Sequence, residues 1–154
     1  MSGRLCHYST VFFTVIALDQ TTKIWALSMC AHRPLFLSSF LSCSVTYNRG
    51  VAWSLIASDD SRIFFLVSTF VFCLTLFIAY IGYQRYQEGK NAWGECLIVS
   101  GSIGNLCDRF LIGSVIDFIE LSYNQWYWPV FNGADIAIVV GVSVMFFVNY
   151  KEVV

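Results

Sequence analysis

Residues 63–81 read IFFLVSTFVFCLTLFIAYI, nineteen positions without a charged side chain. At about 1.5 Å per residue, a helix of that length crosses the hydrocarbon core of a bilayer. The rest of the 154-residue chain must therefore be fitted to a membrane. Its composition agrees: 57% hydrophobic, 18% aromatic and 12% charged, with mean hydropathy +0.65. The charged share is about half that of an average soluble protein. One domain, 1–154, is expected at this length. A net charge of −1 supplies no basic field, so nucleic acid is not an expected partner. Two prolines, no low-complexity run and no internal repeat leave no linker or disordered tail.

Upstream, Tyr8 to Met29 is apolar as far as Leu18 and then reads Asp19-Gln20-Thr21-Thr22-Lys23 before Ile24-Trp25-Ala26-Leu27. A cleaved signal peptide is the competing reading, and Leu27-Ser28-Met29-Cys30 faintly resembles a lipoprotein processing site. Met29 is not the small residue such a site needs before its cysteine, and Asp19 and Lys23 interrupt the apolar run. An uncleaved spanning helix fits better. Asp19 and Lys23 stand at i, i+4 with the acid first, the favourable order for a helical ion pair. Facing a bundle interior, they can neutralise each other.

Residues 30–62 are mixed. Leu41 to Tyr47 has the β-branched and aromatic character of a strand, and Asn48-Arg49-Gly50 reads as a turn. A small β element outside the membrane is expected there. Gly82 to Asn91 is a polar loop. Trp93 to about Phe110 is a third helix rich in small residues (Gly94, Ser100, Gly101, Ser102, Gly104), which let helices approach closely in lipid. Residues 111–131 form a second outer connection whose Tyr123, Trp126, Tyr127 and Trp128 suit an interfacial belt. Asn132 suits an N-cap, opening a fourth helix from about Gly133 to Tyr150. The expected fold is an all-α membrane protein of four transmembrane helices, with the β element between the first and second. Arg4, Arg85, Lys90 and Lys151 fall on the side of the termini. Arg33 and Arg62 fall on the other, once Arg49 and Arg109 are set aside as members of motifs, and this bias makes the termini cytoplasmic.

Six scattered cysteines include no C-x-x-C pair, which argues against a zinc site or a thioredoxin-like motif. Cys30 and Cys43 lie in the polar connection, where a bond between them is open.

The chemistry is concentrated in 101–135, which holds Asp108, Asp117, Asp135, Asn105, Asn132 and Arg109. The topology brings Asp117 and Asp135 to one membrane face. Apolar neighbours in Val115-Ile116-Asp117-Phe118 favour the protonated form of Asp117, whereas the helix N-terminus favours ionised Asp135. Carboxylates driven apart in this way suit one as general base and the other as general acid acting on water. No serine, threonine or cysteine has a base beside it, and His7 and His32 are remote. Three aspartates could hold a metal, but the lack of nearby histidine argues against one, and no cofactor is expected. Gly101, Asn105 and Arg109 recur every fourth residue on one helix face. Gly101 leaves room for a backbone, while Asn105 and Arg109, with Asn48 and Asn132 opposite, can bind a peptide or a lipid headgroup. Plainer readings stand beside these. Asp19–Lys23 is a structural pair, Asp108 a pair partner near Arg109, Arg109 a snorkelling cation and Asn132 only a cap. A small proton-coupled transporter could use the same acids. Residue type alone does not choose between Asp108 and Asp117.

At these residues the chain resembles the bacterial lipoprotein signal peptidases (signal peptidase II). The matching blocks are Asp19-Gln20-Thr21-Thr22-Lys23; Asn48-Arg49-Gly50-Val51-Ala52-Trp53-Ser54; Gly101 to Arg109 continuing through Val115-Ile116-Asp117-Phe118; and Phe131-Asn132-Gly133-Ala134-Asp135. The resemblance implies an intramembrane aspartic endopeptidase of the bacterial inner membrane. It would release signal peptides from prolipoproteins by cutting before a diacylglyceryl-modified cysteine, among membrane lipids and as a monomer. It implies Asp117 and Asp135 as the catalytic pair. Asn48, Gly50, Gly101, Asn105, Arg109 and Asn132 would support substrate and dyad, Asp19 and Lys23 would form a first-helix support pair, and 30–62 would be an outer β platform. Ser100 and Gly133 depart from the family pattern of Gly and a branched aliphatic, which bears on rate.

Overall fold

The computed structural model describes residues 2–50 and 60–153. Four long helices carry a small sheet at one end: α1 (Ser2–Cys30), β1 (Leu35–Phe36), β2 (Leu41–Asn48), α2 (Ser61–Gln87), α3 (Trp93–Leu111), β3 (Val115–Tyr123), β4 (Trp126–Tyr127) and α4 (Gly133–Val153). The helices occupy the expected stretches. Val51-Ala52-Trp53-Ser54 of the second block lies outside the described residues.

Helix ends follow from local sequence. Asp60 caps α2 by accepting the Arg62 backbone N–H at 2.8 Å. At its other end Gly89 takes φ +76, so that the N–H of Gly89 reaches the Tyr86 carbonyl and that of Lys90 the Arg85 carbonyl. These two bonds are the Schellman arrangement, for which glycine is suited because it has no Cβ. Among the described residues, α2 is the one helix long and apolar enough by length and composition to cross a membrane, and Gly133–Val148 is a shorter apolar segment.

The helices pack through α3. A Cβ built on Gly94 would stand 2.7 Å from the Gly141 carbonyl oxygen, and one on Gly101 2.5 Å from that of Ala134. Both glycines let the backbones of α3 and α4 touch. At the end away from the sheet, the Arg4 guanidinium donates to the carbonyls of Gly89 and Lys90, and Tyr8 stacks on Trp93 at 4.1 Å between ring centroids. The N-terminal end of α1 thereby grips the α2–α3 turn.

The sheet is antiparallel in the order β1-β2-β3-β4. The strand expected before α2 is present, but it does not make the sheet alone. The 111–131 connection supplies β3 and β4, closed by a hairpin in which Asn124 takes φ 55. Ile119 on β3 also pairs with Phe131, the residue before Asn132. The chain thus reaches α4 already anchored to the strand that carries Asp117. A disulfide joins Cys30, at the end of α1, to Cys43 on β2.

Candidate active site

Asp117 lies on β3 opposite Thr46, with Asn48 two residues further along β2. Asp135 lies in the first turn of α4, where Asn132 and Asp135 form a reciprocal cap. The Asp135 N–H donates to Asn132 Oδ1 at 3.0 Å, and the Asn132 N–H donates to Asp135 Oδ2 at 3.2 Å. Asp135 therefore has its position fixed by the way the helix begins.

Each of the four oxygens of this pair accepts one amide N–H. Asp117 Oδ2 accepts from Asn48 Nδ2 at 2.9 Å and Oδ1 from Asn132 Nδ2 at 2.6 Å. Asp135 Oδ1 accepts from Asn105 Nδ2 at 2.9 Å. Asn132 is fully buried and also donates to Asn105 Oδ1 at 3.1 Å and to the Ile116 carbonyl at 3.3 Å. It is more than a cap, since it touches both carboxylates. Both acids line one cavity of about 630 Å³. Asp117, on the strand side of that cavity, is raised to about 6, chiefly by burial; Asn48 opposes the shift, the Asp135 charge adds to it, and Asn132 and Lys23 oppose it.

Behind this pair lies a second cluster. Lys23 Nζ contacts Asp19 Oδ2 at 2.7 Å, Asp108 Oδ2 at 2.8 Å and Asn105 Oδ1 at 3.0 Å, which occupies its three N–H groups. The i, i+4 pair is therefore present and has a third member. Asp108 belongs to Lys23 rather than to its neighbour Arg109, and its Oδ2 also accepts the Ile116 N–H at 3.2 Å, beside Asp117. Asp19 Oδ1 accepts the Ala134 N–H at 2.9 Å, beside Asp135. Each supporting carboxylate thus holds the backbone next to one member of the pair.

Asn105 is engaged on both amide atoms: Oδ1 accepts from Lys23 and Asn132, and Nδ2 donates to Asp135. Arg109 is buried. It donates through Nη2 to the Gly50 carbonyl at 2.6 Å, and its Nε, on a side chain lining the cavity, has no hydrogen-bond partner among the described residues. The Gly50 N–H in turn donates to Asn48 Oδ1 at 2.9 Å, turning the Asn48 amide group toward Asp117. Gly101 lies against the Ala134 carbonyl of α4.

Sequence reading missed two members of the site. Gln20 donates to Asp19, to the Gly104 carbonyl and to Asp108. Gly104 is required because a Cβ there would stand 2.6 Å from Asp19 Oδ2. The signal for Gly104 was its position three residues after Gly101 in a run of small residues.

The two departures from the family pattern are accommodated. Ser100 is fully buried and donates to the Leu97 carbonyl at 3.0 Å. A Cβ on Gly133 would meet Asp19 Oδ1 at 3.6 Å, an ordinary contact, and its φ is not left-handed. Gly133→Ala is therefore expected to stabilise the protein by about 0.4–1 kcal/mol, by reducing the freedom of the unfolded chain. Thermal unfolding in detergent checks this, and a lower midpoint would count against the contact as described.

A family model for signal peptidase II matches residues 11–151. The chain is 31% identical over 155 residues to the lipoprotein signal peptidase of Janthinobacterium sp. (strain Marseille), covering 99% of this chain and 93% of that one. It is 33% identical over 145 residues to that of Syntrophotalea carbinolica, covering 90% and 87%. A solved bacterial membrane enzyme superposes with a TM-score of 0.76 at 26% identity, covering 96% of this chain and 89% of the other. Fold and likenesses together define a membrane peptidase with its polar groups gathered beneath a small sheet. The chain belongs to the signal peptidase II family.

Proposed function

We propose that this protein is an intramembrane aspartic endopeptidase that removes signal peptides from bacterial prolipoproteins. It hydrolyses the bond before the diacylglyceryl-modified cysteine. The observation that carries this reading is the placement of Asp117 and Asp135 on one cavity, with each carboxylate oxygen held by one amide N–H. Water between the two acids is deprotonated by one and attacks the scissile carbonyl. The other acid supplies the proton that the departing amine requires. With its proton affinity raised by burial, Asp117 is assigned as the acid and Asp135 as the base at the start of the cycle.

The rest of the cavity suits a lipid-linked substrate. Val71, Leu74 and Ile78 of α2 face Ile136 and Val139 of α4 across it. Acyl chains can remain against this apolar wall while the peptide bond meets the acids. We assign all four helices as spans, α1 being carried across by the pairing of Lys23 with Asp19 on the same helix and with Asp108 of α3. The termini then face the cytoplasm, and the sheet and acids face outward at the inner membrane. A proton-coupled transporter would need titratable groups continuing along its path, whereas among the described residues the cavity lining carries none besides Asp117, Asp135 and Arg109.

The test is cleavage of a diacylglyceryl-modified prolipoprotein by purified protein in detergent. Failure of folded wild type, under conditions where another signal peptidase II works, would remove the proposal. The proton affinity of Asp117 adds a second expectation. Asp117 is protonated below about pH 6 and ionised above it, so kcat/KM should fall about tenfold per pH unit on the alkaline side of an apparent pKa near 6. That value belongs to the pair rather than to one residue. A profile flat from pH 5 to about 8 would refute this assignment of roles.

A further inference from the structure

We propose that the Cys30–Cys43 disulfide is a positioning cross-link for this reaction, clamping β2 to α1 so that Asn48 stays on Asp117. The proposal rests on the peptidase reading of the site.

The geometry starts at Cys43. Its Cα partner across the sheet is Ile119, and regular pairing of β2 with β3 is broken between Cys43 and Thr46 before it resumes through Asn48 opposite Val115. The ladder on the Cys43 side therefore does not by itself dictate where Asn48 falls, because a register shift lies between them. The disulfide supplies a second anchor on that side by tying β2 to the end of α1, with the two Cα atoms 6.1 Å apart.

The same sulfurs sit in a buried apolar cluster with Ala26 of α1 and Phe118 of β3, and Val45 and Ile119 pack against it. Phe118 follows Asp117 on β3, so the cluster holds the strand at the residue next to Asp117. Ile119, packed on this cluster, also holds Phe131, after which Asn132 donates to Asp117. Both side-chain donors to Asp117 thus lie a short way from the cross-link, Asn48 along β2 and Asn132 through Ile119 and Phe131.

Formation of the bond is balanced by thiol–disulfide exchange with an oxidised dithiol carrier on the outer face. One cysteine thiolate attacks the carrier disulfide to give a mixed disulfide, and the second displaces it. The carrier leaves as a dithiol with the two electrons and two hydrogens that Cys30 and Cys43 give up. Both cysteines are buried once the protein is folded, so the exchange belongs to maturation and the finished bond is shielded from reductant.

Three measurements test the proposal on the full-length protein in detergent. Maleimide labelling after denaturation should mark four cysteines (Cys6, Cys73, Cys96 and Cys107) without reduction, and all six after it. Cys30→Val/Cys43→Ala keeps the cluster apolar but removes the link. Its kcat should fall about 10- to 100-fold, with KM within about twofold, as expected for a slightly misplaced reacting group. Amide exchange in 41–48 and 115–119 should accelerate while that in α3 stays unchanged. Six labels without reduction, or a variant with wild-type kcat and exchange, overturns the clamp. If oxidised wild type cleaves nothing, the peptidase reading fails, and the exchange difference still decides whether the disulfide holds Asn48 in place.

Discussion

Asp117→Asn and Asp135→Asn are each expected to lower kcat by about 10²–10⁴-fold, because under the proposed mechanism each removes a proton-transfer group with no substitute among the described residues of the cavity. His7 and His32 lie outside the cavity lining, and among the described residues the remaining polar groups there are amides, a serine, a threonine, the Trp128 indole and Arg109. Neither replacement is silent to the fold. Both oxygens of each aspartate accept an N–H, so an asparagine must turn its own NH₂ toward one of those donors. That mismatch costs about 1–3 kcal/mol. Activity is therefore to be compared at a temperature where thermal unfolding shows every variant native. Retention of more than about a tenth of wild-type kcat by either folded variant would show that its carboxylate is not a reacting group. Asp108→Asn is a different experiment. It weakens the hold on Lys23 and on the Ile116 N–H, so its first effect is on stability.

The largest stability effect is expected for Lys23→Met. Asp19 and Asp108 are almost wholly buried, and Lys23 is the cation that contacts both. Removing it leaves two like charges in a low-dielectric interior, at a cost of about 3–5 kcal/mol. Against a typical total of about 5–15 kcal/mol, that is a large fraction. Denaturant unfolding in micelles measures it, and a loss below about 1 kcal/mol would mean that the cluster is not held by Lys23. Activity should fall as well, because Asn105 loses one of the two donors, Lys23 and Asn132, that hold its carbonyl oxygen turned away from Asp135.

These two sets of residues were not equally legible in sequence. Asp19 and Lys23 could be paired beforehand because helical spacing brings i and i+4 together whatever the tertiary fold. The four helices were legible because apolar runs and small-residue stripes are local signals. Partners remote in sequence were not. Asp108 stands beside Arg109 in the chain, yet it answers to Lys23 on another helix, and only the packing of α1 on α3 decides that. The strand character of Val115–Tyr123 was present in its β-branched and aromatic residues. The aromatic residues that follow drew the reading toward an interfacial connection instead. Cys30 and Cys43 had a spacing compatible with many arrangements, and it is the return of β2 onto the end of α1 that brings them together.

The apolar cavity between α2 and α4 bears on how potency should be expressed for anything that binds there. Its lips are exposed aliphatic side chains, Leu74 on α2 with Val139 and Val140 on α4. A ligand entering between them is drawn from the surrounding lipid or detergent phase rather than from water. The governing variable is then the ligand's mole fraction in that phase. Diluting enzyme, ligand and detergent together with buffer should leave occupancy nearly unchanged. Adding empty micelles at constant volume should lower it, so two laboratories using different detergent loads would report different inhibition constants for the same compound.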